Sequence, residues 1–412
     1  MSKEKNTSVL LLTIILASLS TIAPFSIDTY LPSFPSIAYE LNATAFQMQQ
    51  SMSIYMIGFA VMTLFAGSLS DALGRRHITM IALLVYAGAS LGCAYSDSIS
   101  NFLWLRFLQG VAASVGMVVG RAVVRDIYSG DDAQRMMSNV LLFFAMAPAL
   151  APIIGGALEI SYGWRAIFIF LMFFSLAIML LVYFKLPETL PKEQRHSMHP
   201  VILLRNYRHA LTHMRFTAVA FVITLSFSGF FVYITASPRI LFTHLGFAAD
   251  EFYLMFVPVV IGVMVGSFTS GRLSGKVSAF TLIKAAFVIM ALASLFNLFQ
   301  AQFLPPMPLT IIAPVVLYGV GVSLSLPALT VLGMDQLPGH RGLASSLQSF
   351  IHMGINGIVA GVITPLVFNK ISYLSYTMSA FMLVSLLLYL AIITGLKATK
   401  SLDPSKAARD NH

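Results

Sequence analysis

Residues Leu10 to Ile27 read LLLTIILASLSTIAPFSI, and Asp28-Thr29-Tyr30-Leu31-Pro32 follows directly. The run is long enough to cross a bilayer as one helix, since a span needs about 20 apolar residues. It ends on a carboxylate. The chain has 16 Asp and Glu, and the other fifteen can all be placed in loops or at membrane edges. Asp28 alone reads as lying within a span. An ionisable group there is costly and marks a functional site by default. Such a carboxyl can load and release a proton near neutral pH, so Asp28 is the first candidate for energy coupling.

Working outward from this run, eleven more follow. The twelve cover 9–31, 48–68, 78–96, 102–122, 136–158, 165–186, 216–238, 252–271, 279–300, 309–332, 343–366 and 374–396. They are too long and too continuously apolar for barrel strands, so the fold class is an all-α membrane protein of twelve transmembrane helices. Composition agrees: 58% of residues are hydrophobic and only 10% charged, against about 25% charged in soluble domains. Lys3 and Lys5 before the first run give it the look of a signal peptide. No clean small-residue cleavage site follows, so it reads as an uncleaved first helix. The single Cys93 can form neither an intrachain disulfide nor a metal cluster and reads as a small apolar filler.

The net charge of +9 raises the question of nucleic acid. With the N-terminus inside, 21 of the 25 Lys and Arg fall at the cytoplasmic side; Arg106, Arg165, Arg239 and Lys370 are the exceptions. That is the positive-inside pattern, and it places both termini in the cytoplasm. The basic residues are spread over short segments and form no single patch, which excludes nucleic-acid binding.

Most connections are short. Pro187–Met214 is longer, polar and basic, and its histidines lack a metal-ligand spacing. It divides the chain into a six-helix bundle at 1–190, a cytoplasmic loop at 191–215 and a second bundle with a short tail at 216–412. The halves echo each other. Gly67-Ser68-Leu69-Ser70 and Gly271-Arg272-Leu273-Ser274 close the second and eighth runs. Tyr30 with Pro32 and Pro35 is matched by Tyr233 and Pro238 at the end of the seventh. Two parallel repeats suit a rocking carrier with its site between the halves near the midplane.

Three further segments carry chemistry. Gly67 and Gly74 allow a tight turn and close helix approach in Gly67-Ser68-Leu69-Ser70-Asp71-Ala72-Leu73-Gly74-Arg75-Arg76. Asp71, Arg75 and Arg76 can pair across a mouth or cap a neighbouring helix; a plain basic turn fits the spacing as well. In Leu103-Trp104-Leu105-Arg106-Phe107-Leu108-Gln109-Gly110 an Arg sits one turn inside a span. It either snorkels to the surface or stands as a fixed cation beside the cavity. In Ala147-Pro148-Ala149-Leu150-Ala151-Pro152-Ile153-Ile154-Gly155-Gly156, Pro148 and Pro152 kink a helix and Gly155 and Gly156 permit tight packing.

Together these segments resemble the major facilitator superfamily. The Gly67–Arg76 stretch resembles its loop 2–3 signature. The Arg106 run resembles the span-4 motif of its drug:proton antiporters. The Pro148–Gly156 run resembles its antiporter motif, with Ala151 where Gly is usual. With Arg121-Ala122-Val123-Val124-Arg125-Asp126, Trp164-Arg165-Ala166-Ile167-Phe168 and Leu186-Pro187-Glu188-Thr189-Leu190, the chain is similar to the Bcr/CflA multidrug exporters. The resemblance is dense over the first 190 residues and thin beyond. It implies a proton-driven exporter of small amphipathic molecules in a bacterial inner membrane. Asp28 would carry the proton and Arg106 would tune it. Gly67, Asp71, Gly74, Arg75, Arg76, Arg125 and Asp126 would form a conformational latch. A metabolite or siderophore exporter, or a proton-coupled importer, uses the same scaffold.

The expected cavity is apolar and aromatic with few polar anchors. Its candidates are Tyr30, Met52, Tyr55, Gln109, Tyr233, His352 and Asn356, with Met48 on the same face as Met52 and Tyr55. His352 fits a cavity wall or a hydrogen-bonded packing position. Arg239 after Ser237-Pro238 fits an outer vestibule or a membrane edge. No Gly-Lys-Ser/Thr phosphate loop, zinc-protease pair or nucleophile elbow occurs, so neither ATP coupling nor enzyme activity is expected. No cofactor or metal is implied beyond a proton gradient. The expected partners are a small-molecule substrate, protons and membrane lipid, with the chain a monomer.

Overall fold

The computed structural model describes residues 9–195, 200–337 and 341–401. Among them are twelve helices long and apolar enough to cross a membrane, and no strand. Each overlaps one of the apolar runs. Several extend into polar sequence that the hydropathy does not count. One is α3 (Ala45–Leu73), which starts at a capping box between Thr44 and Gln47. Residues 1–8 and 402–412 of the expected bundle boundaries, and His196 and His199 of the central loop, lie outside the described residues.

The first span, Val9–Glu40, is broken. Helix α1 (Val9–Asp28) gives way to a 3-10 turn at Leu31–Ser33 and then α2 (Phe34–Glu40). Pro32 and Pro35 each lack an N–H, and each disfavours helical geometry in the residue before it. The helix therefore ends at Asp28. Its remaining backbone groups are satisfied locally, with Thr29 N and Thr29 Oγ1 both donating to Phe25 O.

Helices α4 (Arg75–Ala94), α5 (Ile99–Ile127), α6 (Gly130–Tyr162) and α7 (Trp164–Lys185) complete the first half. Glycines at positive φ make its tightest reversals, Gly74 (95°) between α3 and α4 and Gly163 (76°) between α6 and α7. A short helix α8 (Pro200–Thr212) leads into the second half. This is built from α9 (Met214–Thr235), α10 (Tyr253–Leu273), α11 (Ala279–Phe303), α12 (Pro308–Met334), α13 (Arg341–Ile358), α14 (Thr364–Val367) and α15 (Ile371–Ser401). A π-helical stretch, Val359–Ile363, joins α13 to α14.

Within the halves, α3 packs on α5 and α4 on α7, as α10 packs on α12 and α11 on α15. Between the halves, α3 packs on α13 and α6 on α10. The second spanning helix of each half thus meets the fifth of the other. That is the arrangement two parallel repeats generate about an axis normal to the membrane.

The two ends of this interface differ. We call the side bearing α8 the near face and the opposite side the far face. At the far face Gln49 Nε2 donates to Thr235 O at 2.9 Å, and Gln50 Nε2 donates to Gly361 O. Gly156 lies so close to the backbone of Ala249 and Asp250 that a Cβ there would collide with Ala249 O. Toward the near face the inner helices are open. In α1, Leu11, Ile14 and Ser18 are exposed or half-exposed, but from Leu19 to Leu31 only Ile27 is not buried. In α9, exposure stops at Phe227, and every residue from Ser228 to Pro238 is buried. The halves are sealed at the far face; toward the near face α1 and α9 become exposed, while on the α3 flank Tyr207 Oη of α8 still donates to Leu64 O at 2.8 Å.

Candidate functional site

At the far end of the first half, α5 carries Arg106 inward to complete burial. It does not snorkel. Its Nη1 donates to Gln109 Oε1 at 2.7 Å and its Nη2 to Ser26 O at 3.0 Å. The guanidinium carbon lies 4.3 Å from the Tyr30 ring centre and 4.6 Å from that of Tyr55. Gln109 is held in turn by its own donation to Ser90 Oγ at 2.7 Å. Tyr30 Oη pairs with Ser51 Oγ at 3.0 Å, and Ser26 Oγ bonds Tyr86 Oη. The cation is thus held by neutral dipoles and two aromatic faces. Each face is worth about 2 kcal/mol when desolvated.

Asp28 is also buried, 5% exposed. Among the described residues its carboxylate has no ion pair and no hydrogen bond. Ser26, whose carbonyl Arg106 holds, lies two residues earlier, which places Asp28 about 200° round the helix. The two charges occupy one segment and point to different sides of it. Any influence of Arg106 on Asp28 in this conformation therefore passes through space and through the backbone of α1, not through a contact.

Helix α6 presses on the same segment. A Cβ at Gly155 would collide with Thr29 O, next to Asp28. Pro148 and Pro152 lie inside α6, about two turns and one turn from that contact. Ala151 is fully buried, so the packing accommodates its methyl. The α6 segment thus holds the Asp28 turn on one side and, through Gly156, the second half on the other.

At the near face of the first half, Arg75 is the centre of a second cluster. Its Nε donates to Asp126 Oδ2 at 3.1 Å, its Nη1 pairs with Asp71 Oδ1 at 2.5 Å, and its backbone N donates to Glu188 Oε1 at 2.8 Å. Thr189 Oγ1 donates to Asp126 Oδ2 at 2.8 Å, and Arg195 pairs with Glu188 at 3.5 Å. Gly74 is required here: a Cβ would meet Glu188 Oε2, and the φ of 95° resists other residues. Arg76 donates to Tyr183 O and lies over its ring. The cluster binds α3, α4, α5 and the segment after α7 into one unit of the first half, joined by Arg195 of the central loop. Two members of the expected set stand apart. Arg125 is exposed and makes no ion pair among the described residues. Gly67 has open space where a Cβ would be, so it makes no close helix approach and lies within α3, not at a turn. Glu188 and Thr189, whose Leu186–Leu190 segment stands out in the sequence, complete the cluster. Nothing in residue spacing alone assigns them to Arg75.

The expected cavity residues divide. Met48, Met52 and Tyr55 are buried in the core of the first half. Tyr233 does not face the cleft. Its hydroxyl exchanges hydrogen bonds with Asn297 and Ser375 on α11 and α15, within the second bundle. The reason is local: Asn297, Gln300 and Ser375 supply a buried polar partner set on that side. Asn356 is buried, accepting from Ser228 Oγ at 3.0 Å and donating to His352 O. His352 is half-buried, with its ring 4.7 Å from that of Phe227. Arg239 is half-buried near the far face, 5.7 Å from the Phe368 ring centre. No cluster of His, Cys, Asp and Glu among the described residues could hold a metal ion.

Two helical repeats meeting at one sealed and one open end, with a buried cation and a buried carboxylate in the walls, define a multi-pass membrane carrier. The chain belongs to the Major Facilitator Superfamily, whose family model matches residues 16–361, and is a transporter, not an enzyme. It is 30% identical over 390 residues to a bicyclomycin resistance protein homolog of Haemophilus influenzae, covering 94% of this chain and 97% of that protein. It is 28% identical to a chloramphenicol resistance protein of Pseudomonas aeruginosa, over 86% of this chain and 83% of that one. Among solved structures, a D-xylose-proton symporter matches with a TM-score of 0.73 at 16% identity, over 92% of this chain and 97% of the other. A bacterial homolog of the lysosomal transporter Spinster, in an inward-facing and unoccupied conformation, matches at 0.70 and 16% identity, over 96% and 99%. These structural likenesses concern the fold.

Proposed function

We propose that this chain exports small amphipathic molecules across a bacterial inner membrane in exchange for inward protons, by alternating access. On this reading the near face is cytoplasmic, with both termini, and the far face is periplasmic. Asp28 carries the proton. Arg106 fixes the electrostatics and shape of the α1 turn in which Asp28 sits. The Arg75 cluster keeps the first half rigid as it rocks, so it serves the latch role from within one half. The chain works as a monomer with no cofactor beyond the proton gradient.

One observation carries the reading: a carboxylate buried at the break of an inner helix, with no cationic partner among the described residues. A group so placed is suited to exchanging a proton and not to holding a permanent ion pair. The names of the relatives, resistance to bicyclomycin and to chloramphenicol, favour outward movement of drug-like molecules. The test is substrate-induced proton release from purified protein. Wild type should release protons on adding an exported drug, and Asp28→Asn should not, although the amide keeps the shape. Undiminished release from Asp28→Asn would assign the coupling elsewhere.

A further inference from the structure

The second half offers the near-face cleft a wall with a defined chemistry. Phe227 is the last residue of α9 not fully buried, and it stands where the halves part. Its ring is stacked on Phe231 at 5.6 Å and tilted against His352 at 4.7 Å. His352 comes from α13, the helix that crosses between the halves onto α3. One edge of its ring is closed, since Nδ1 is buried without a hydrogen-bond partner. The ring is otherwise half-exposed, and no partner for Nε2 occurs among the described residues.

The neutral imidazole carries one N–H, and its position follows from that environment. Burying an N–H without an acceptor costs about 1–3 kcal/mol. A bare nitrogen there is an unsatisfied acceptor and is costly too; with the proton on Nε2, the donor is placed at the half-exposed side of the ring, where a ligand can accept from it. Asn356 bonds Ser228 and the carbonyl of His352 and makes no hydrogen bond to Nδ1. The result is an aromatic face with a hydrogen-bond donor at its rim.

We propose that Phe227 and His352 form a substrate subsite for aromatic molecules that carry a hydrogen-bond acceptor beside the ring. The substrate ring packs on Phe227, and a carbonyl, nitro or hydroxyl oxygen accepts from His352 Nε2–H. The inference rests on the export reading for its biological meaning but is tested by binding alone.

The experiment is equilibrium dialysis of the purified full-length chain in detergent with two probes. Chloramphenicol has an aromatic ring with nitro, hydroxyl and amide oxygens. Tetraphenylphosphonium is aromatic with no hydrogen-bonding group. His352→Phe should weaken chloramphenicol binding about tenfold, the value of one hydrogen bond, and leave tetraphenylphosphonium unchanged. His352→Gln, whose amide nitrogen reaches the Nε2 position, should bind chloramphenicol within about threefold of wild type. Phe227→Leu should weaken both probes. Equal weakening of both probes by His352→Phe would mean a structural role and overturn the assignment. So would unchanged chloramphenicol binding in that variant, or no chloramphenicol binding by monodisperse wild type. Binding as expected without energised export from vesicles would remove the export reading and leave the subsite standing.

Discussion

Arg106→Lys keeps the charge and removes the fork. In the structure the guanidinium reaches two acceptors at once, Gln109 Oε1 at 2.7 Å and Ser26 O at 3.0 Å, while lying against two rings. An ammonium is a compact charge on a flexible stem and cannot span both acceptors in one plane. Losing one charge-assisted bond at about 1.5–3 kcal/mol and one ring face at about 2 kcal/mol gives a destabilisation of about 3–5 kcal/mol. Thermal unfolding in detergent should fall by about 3–6 °C relative to wild type. Export should fall with it, because the Ser26 carbonyl that positions the Asp28 turn has been released. Arg106→Met separates the two effects. An apolar side chain of similar length relieves the burial of a charge, so its stability should drop less than that of the lysine variant, yet it should not restore transport. A lysine variant that melts and exports like wild type would refute the claim that the bidentate, ring-stacked geometry matters.

Gly155→Ala should reduce export by displacing the Asp28 turn, since its Cβ meets Thr29 O; overpacking of this kind costs about 1–3 kcal/mol and is read by the same melting assay. Gly156→Val should prop the far face apart, raising labelling of a Cys placed at Ala43 while slowing transport. Asp71→Asn or Glu188→Gln should lower export with protein still inserted, because each removes a partner from the Arg75 cluster; wild-type rates in both would dismiss that cluster. A membrane-impermeant reagent should label a Cys at Ala43 from outside and miss one at residue 200; the reverse pattern would invert the proposed orientation.

The twelve spans were legible because hydropathy over a 20-residue window is a strong signal. The break after Asp28 was legible in principle from Pro32 and Pro35, yet a continuous first run hides it: apolarity does not change where the helix stops. Burial of Arg106 could be read from the cost of a cation in a span. Its partners could not, because Ser26, Tyr30 and Tyr55 lie on other helices at separations no periodicity encodes. Tyr233 shows the converse. The repeat matches it to Tyr30, but the first half turns its tyrosine to a cation and the second to Asn297 and Ser375. A backbone repeat fixes where an inner-helix residue starts. The neighbours fix where it points. Gly67 fails for a related reason: a glycine within a motif is not by itself a close contact, and only the neighbouring helix decides.

That divergence between the repeats bears on how the work is divided. The first half holds the buried cation, the buried carboxylate and the Arg75 ion cluster. In the second half two buried polar clusters, Tyr233 with Asn297 and Ser375, and Ser228 with Asn356, are built from neutral groups alone. Field changes that accompany protonation are strongest near the group that titrates and weaken with distance. On the reading proposed here, the first half responds directly to the proton, and the second half feels it through the interface. That interface is α3 on α13 and α6 on α10. Both first-half members adjoin the Asp28 turn, α6 through Gly155 and α3 through Ser51 beneath Tyr30. A shift in that turn is thus delivered to both inter-half contacts at once. This is what a rocking carrier needs for one protonation event to move an entire bundle.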